Sequence, residues 1–220
     1  MKVLVVGFPR SGTTMTHGIF NKHPDISQML YERWLLNIVD NKKQLKNKFP
    51  KMVGNFGEKV IWGKRLAINR KEQTIVDYCI EWNVWFGNEA KIIQIIRHPY
   101  DTLNSLVISK KRLPRGPKFE KNYSEYLLYA PKYIPQINSL PNCLTVKYEN
   151  IVTNIDDMTK KIFNHCGLEV NHKHPIPMKI NRVFNYKNYK RKKDFLFKYD
   201  DRLKNVIEEF NKIDGVKYEL

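Results

Sequence analysis

The stretch Val3-Leu4-Val5-Val6-Gly7-Phe8-Pro9-Arg10-Ser11-Gly12-Thr13-Thr14 sets a short apolar run directly before a glycine-bearing loop. An unbroken run of branched apolar residues is the pattern of a strand buried on both faces, as in a parallel sheet. Two glycines with hydroxyls around them can cradle a phosphate through backbone N–H groups at a helix N-terminus. A nucleotide-triphosphatase loop also carries a lysine before its Ser/Thr to hold the β- and γ-phosphates, and the hydroxyl binds Mg²⁺. Thr13 takes that lysine's place here. The loop suits a phosphate and is poorly built to gather a Mg²⁺-triphosphate.

A second segment has the same organisation. Lys91-Ile92-Ile93-Gln94-Ile95-Ile96 reads as a buried parallel strand and runs into Arg97-His98-Pro99-Tyr100-Asp101-Thr102-Leu103-Asn104-Ser105. Pro99 is suited to open a helix. Arg97 then sits at the strand's C-terminal edge with Ser105 about two turns into the helix, and both can face the crevice where open α/β sheets bind ligands. One cation and one hydroxyl suit a single phosphate.

With these two segments the chain resembles the sulfotransferases that use 3′-phosphoadenosine 5′-phosphosulfate (PAPS). Pro9-Arg10-Ser11-Gly12-Thr13-Thr14 matches the family's loop for the 5′-phosphosulfate. Arg97, Pro99, Asp101 and Ser105 match the spacing of its 3′-phosphate segment, and Leu144-Thr145-Val146-Lys147-Tyr148-Glu149 looks like its apolar strand ending in Tyr-Glu. The resemblance covers roughly residues 1 to 30 and 90 to 155. It implies transfer of a sulfonate from PAPS to an acceptor hydroxyl, in line and without a metal, leaving the desulfated product PAP. It further implies that Arg10, Ser11, Gly12, Thr13, Thr14, Arg97, Ser105 and Tyr148 bind the cofactor, Tyr148 near the adenine, with Arg10 offsetting charge on the leaving phosphate.

The same resemblance names candidates for the chemistry. Its tyrosylprotein and carbohydrate branches carry a glutamate base shortly after a His-Pro pair, and His23-Pro24 is followed by Tyr31-Glu32-Arg33. Glu32 is the candidate base, with His17 in reserve. Trp62-Gly63-Lys64-Arg65 resembles a Trp-Gly-x-Lys pattern, in which Arg65 fits by count and Lys64 by residue type. Either is the second cation on the bridging oxygen. No histidine stands in that segment, which favours the glutamate branch, and hence a sugar or a protein tyrosine as acceptor over a small phenol. Lys190-Arg191-Lys192-Lys193 is a weaker match to the family's last basic cofactor element. The alternatives are a nucleotide or small-molecule kinase with a degenerate loop, or a nucleotide-binding module without turnover.

Composition bounds the rest. Lys and Arg number 39 against 22 Asp and Glu, a net charge of +17 over 220 residues. Such a surface attracts anions, PAPS and an acidic glycan or tyrosine peptide among them. No zinc-finger spacing or aromatic RNA-reading pair supports a nucleic-acid module. Cys79, Cys143 and Cys166 are odd in number and widely spaced, which argues for thiols over a disulfide framework. His165, Cys166, His172 and His174 lack a zinc pattern, so no metal site is expected. No apolar run has the length of a membrane span. The expectation is one domain over residues 1–220, cytoplasmic, with a luminal domain of a secretory-pathway enzyme as the alternative.

Strands and helices alternate along the chain, which predicts an α/β fold of three layers, phosphate-loop-like, with a central parallel sheet flanked by helices. Helices are expected over residues 13–22, 27–40, 71–88, about 123–133 and 154–166, besides the one opened by Pro99. Residues 41–59 read as a lysine-rich connector, 60–62 and 143–148 as strands, and 110–118 as a basic loop.

Overall fold

The computed structural model describes residues 1–34, 54–61, 74–109, 117–170 and 201–219. Among the described residues, five strands form one sheet: β1 (Lys2–Gly7), β2 (Ile26–Trp34), β3 (Asn55–Ile61), β4 (Ala90–Ile96) and β5 (Cys143–Lys147). Their order is β2-β3-β1-β4-β5 and every pairing is parallel. The helices are α1 (Thr13–Phe20), α2 (Ile75–Phe86), α3 (Pro99–Ser109), α4 (Pro117–Asn138), α5 (Tyr148–Thr153), α6 (Ile155–Cys166) and α7 (Asp201–Asn211).

Alternation along β1 explains the layers. Val3 and Val5 pack with Ile19 and Phe20 of α1 and Ile162 and Phe163 of α6, whereas Leu4 and Val6 pack with Tyr78 and Trp82 of α2, Tyr126 of α4 and Phe210 of α7. All four β1 side chains are fully buried, and each such burial contributes roughly 1.5–3 kcal/mol. This is the expected three-layer α/β fold. The strand order also creates a crevice: from β1 the chain builds β2 and β3 on one side and β4 and β5 on the other. Between the C-terminal ends of β1 and β4 lies the switch point at which open α/β sheets bind ligands.

Several boundaries depart from expectation. Residues 26–34 form edge strand β2, not the start of a helix. Its pairing with β3 shifts register between Ile26 and Gln28 and again between Leu30 and Arg33, which breaks the alternation that marks a strand. β3 begins at Asn55, so residues 55–59 belong to the sheet, not to a connector. Its charged members are buried: Glu58 takes a hydrogen bond from the Tyr78 hydroxyl at 2.8 Å on one face, and Lys59 turns to the other. α2 starts later than expected, where Thr74 and Asp77 form a reciprocal capping box. α4 already includes Pro117 and Lys118 and runs on to Asn138, and Tyr148 opens helix α5 instead of closing a strand. α6 ends as expected at Gly167, whose φ of 66° is left-handed.

Candidate functional site

The loop after β1 is shaped by backbone constraints. Gly7 has no room for a side chain, since a Cβ there would lie 2.8 Å from the Ile95 carbonyl of β4. Arg10 has φ 74° and Gly12 φ 110°, both left-handed. Gly12 stands at the N-cap of α1 with no side-chain cap, and its carbonyl accepts the Met15 N–H at 3.0 Å. The first turn of α1 carries no acidic residue, which leaves its N-terminal N–H groups suited to an anion.

The two predicted loops interlock at the switch point. Arg97, at the end of β4, donates from a terminal guanidinium nitrogen to the Arg10 carbonyl at 3.2 Å, and its guanidinium lies 4.5 Å from the centre of the Tyr148 ring. Arg10 in turn reaches across from the first loop, its Nε donating to Ser105 Oγ of α3 at 3.0 Å. Tyr148 packs so closely on Gly12 that a Cβ at Gly12 would fall within 3.0 Å of its Cδ2. Burial is the chief cause of the raised pKa of the Tyr148 hydroxyl, which the Arg97 charge opposes. Arg10, Gly12, Arg97, Ser105 and Tyr148, drawn from three separate segments of the chain, thus meet in one cluster.

Two atoms of this cluster stand out. Ser11 is 2% exposed and Arg97 7%, yet Ser11 Oγ and Arg97 Nε are buried without a hydrogen-bond partner among the described residues. A buried donor left unpaired costs about 1–3 kcal/mol, and more when charged. Donors held in this condition beside an uncapped helix start and two arginines are matched to anionic oxygens. The donor set therefore fits a group bearing two separate phosphates, one at each loop.

Lys59 was missed in the sequence. It is 3% exposed, and its Nζ donates to Thr14 Oγ1 at 3.0 Å. A lysine ammonium only donates, so the Thr14 hydroxyl keeps its own proton to give elsewhere. β3 thus delivers a cation to the loop whose own sequence lacks the lysine. The signal was the alternation of Phe56, Glu58 and Val60 on one face with Gly57 and Lys59 on the other. Lys59→Met is expected to weaken binding of adenosine 3′,5′-bisphosphate (PAP) by about tenfold, the value of one hydrogen bond to a charged group. In a calorimetric double-mutant cycle with Thr14→Val the two losses should not add; full additivity would dissociate the pair.

Glu32 lies on β2 and not on a helix, and its side chain, with those of Lys64, Arg65 and the basic run Lys190 to Lys193, falls outside the described residues. Thr13 is buried and Thr14 exposed at the start of α1, and His17 lies one turn further along. Among the described residues no group of three or more His, Cys, Asp or Glu stands together to hold a metal ion, and no helix is long and apolar enough to cross a membrane.

Such a fold and site define a parallel α/β protein of the phosphate-loop type, with glycine- and arginine-bearing loops after two adjacent strands. The sequence model of the sulfotransferase domain matches residues 1–206, and the chain belongs to that family. No curated protein sequence matches it significantly. Among solved structures, mouse sulfotransferase SULT7A1 complexed with PAP is 18% identical with a TM-score of 0.54, over 82% of this chain and 62% of that one. A sulfotransferase from Alicyclobacillus acidocaldarius is 13% identical with a TM-score of 0.57, over 80% of this chain and 84% of its own. The sulfotransferase domain of the Synechococcus olefin synthase is 11% identical with a TM-score of 0.55, over 100% and 96%. At these identities the likeness is one of fold. The chain spans 62% of the length of the mouse enzyme.

Proposed function

We propose that the chain is a PAPS-dependent sulfotransferase acting on an acceptor hydroxyl, with residues 1–220 as its one catalytic domain. The observation that carries this reading is the pair of buried, unpartnered donors, Ser11 Oγ and Arg97 Nε, set in two interlocked loops at the switch point. Family membership and the PAP complex of the mouse relative point to the same nucleotide.

PAPS, when bound, supplies the sulfonate on a phosphosulfate. Ser11, Thr13, Thr14 and the N–H groups that open α1 hold its 5′ side, and Arg97 and Ser105 its 3′-phosphate. Tyr148 offers a ring face to the adenine. Arg10, bonded to Ser105 through its side chain and to Arg97 through its carbonyl, couples the two halves. Glu32 would serve as base for the acceptor hydroxyl, and Lys64 or Arg65 would supply the second positive charge. These roles need no metal.

For the acceptor, a sugar hydroxyl or a protein tyrosine is favoured by the Glu32 pattern and by the +17 net charge. Three free cysteines suit a reducing, cytoplasmic setting, with the lumen of the secretory pathway as the alternative. Calorimetric titration with PAP, beside ATP with and without Mg²⁺, tests the reading. Metal-independent binding of PAP is expected; binding of ATP only with Mg²⁺, and none of PAP, would replace it with a kinase. PAP binding without sulfonate transfer to any acceptor in a screen of sugars, tyrosine peptides and phenols would leave a binding module.

A further inference from the structure

Beyond residue 206, where the family match ends, α7 leads into a strap of residues 215–219 that packs back on the sheet edge. Val216 and Tyr218 are buried. Asn211 of α7 holds the Tyr218 backbone at both ends: its Oδ1 accepts the Tyr218 N–H at 2.7 Å and its Nδ2 donates to the Tyr218 carbonyl at 2.9 Å. Lys147, the last residue of β5, donates to the Lys217 carbonyl at 2.8 Å and places its ammonium 4.4 Å from the centre of the Tyr218 ring. That ring and the His98 ring stand nearly perpendicular with their centres 5.0 Å apart, and His98 Nε2 lies 3.2 Å from the Glu219 carbonyl, to which it donates.

All of this converges on Glu149. One carboxylate oxygen accepts the Tyr218 hydroxyl at 3.1 Å, and the other accepts the backbone N–H of His98 at 2.8 Å. His98 follows Arg97 and Glu149 follows Tyr148, so the strap grips the next residue of each member of the Arg97–Tyr148 stack. We infer that Tyr218 is a positioning residue for the 3′-phosphate subsite, bracing through Glu149 the two backbone turns that present Arg97 on Tyr148. This rests on the PAPS reading above. Burial raises the Glu149 pKa, while its bonds from His98 and Tyr218 favour the ionised form. With the Tyr218 hydroxyl removed, one oxygen of a largely desolvated carboxylate loses its donor, and its hold on the His98 N–H weakens.

The test compares PAP with adenosine 5′-monophosphate, which differs from it only by the 3′-phosphate, as calorimetric titrants of the full chain. Wild type should prefer PAP. In Tyr218→Phe that preference should shrink roughly tenfold, the loss of one charge-assisted hydrogen bond, with affinity for the monophosphate held within about twofold. Asn211→Ala, which frees the strap backbone and keeps the hydroxyl, should shrink the same ratio and stands in if Tyr218→Phe does not fold. A lowered melting temperature with an unchanged ratio, or an equal loss for both nucleotides, would overturn the inference and leave the PAPS reading intact. A wild type with no preference for PAP would overturn both.

Discussion

Arg97→Ala is expected to lower affinity for PAP by at least two orders of magnitude while the melting temperature moves by only a few degrees. The guanidinium is buried, stacked on Tyr148 and bonded to the Arg10 carbonyl, with Nε buried and without a partner among the described residues. Two hydrogen bonds from this fork to a phosphate, at about 1.5–3 kcal/mol each, amount to about 3–6 kcal/mol of binding. Stability should respond less. The substitution loses a cation–π contact and one hydrogen bond, but it also removes a desolvated charge whose Nε has no partner. Arg97→Lys keeps the charge without the planar fork and should fall between the two. Calorimetric titration beside a thermal melt separates these effects, and unchanged PAP affinity in the alanine variant would remove Arg97 from the 3′-phosphate subsite.

Gly12→Ala should damage binding and stability together. At φ 110° a residue with a Cβ is strained by about 1–3 kcal/mol, and the added atom would lie closer than 3.0 Å to the Tyr148 ring. Relief requires Tyr148 to move off Gly12, which takes the aromatic face from under Arg97, or the loop to change shape, which misaligns the N–H groups at the start of α1. We expect PAP affinity to fall about a hundredfold and the melting temperature to drop by several degrees, consistent with about 2–3 kcal/mol. Adding Tyr148→Ala should restore part of the stability, because it clears the clash but not the backbone strain. A Gly12→Ala variant that binds PAP like wild type would mean that the loop is not held against Tyr148.

The two Gly-Arg and Arg-Pro segments were legible because their signals are local: an apolar run, then residues with special backbone or charge within about ten positions. β2 was not. Two register shifts scramble its alternation, so Glu32 was assigned to a helix that does not exist there. Lys59 was hidden for a related reason, since Glu58 and Lys59 side by side read as a solvated connector until Tyr78 and Thr14 supply their partners across the sheet. Tyr148 was singled out in the sequence and the structure brings it against both loops, though it opens α5 instead of ending a strand.

By itself, then, the amino-acid order determined the parallel α/β class and the residue types of the loops after β1 and β4. Hydrophobic period, glycine conformation and proline placement act over a few neighbouring residues, and they leave a mark in the chain whatever lies beside it. The tertiary structure alone decided that β1 and β4 are neighbours, that Arg10 reaches Ser105, that Lys59 serves the loop of another strand, and that Tyr218 braces the turn after Arg97. Those contacts join residues 45 to 95 positions apart or act through a shared carboxylate. Their partners are selected by packing, which no local pattern encodes.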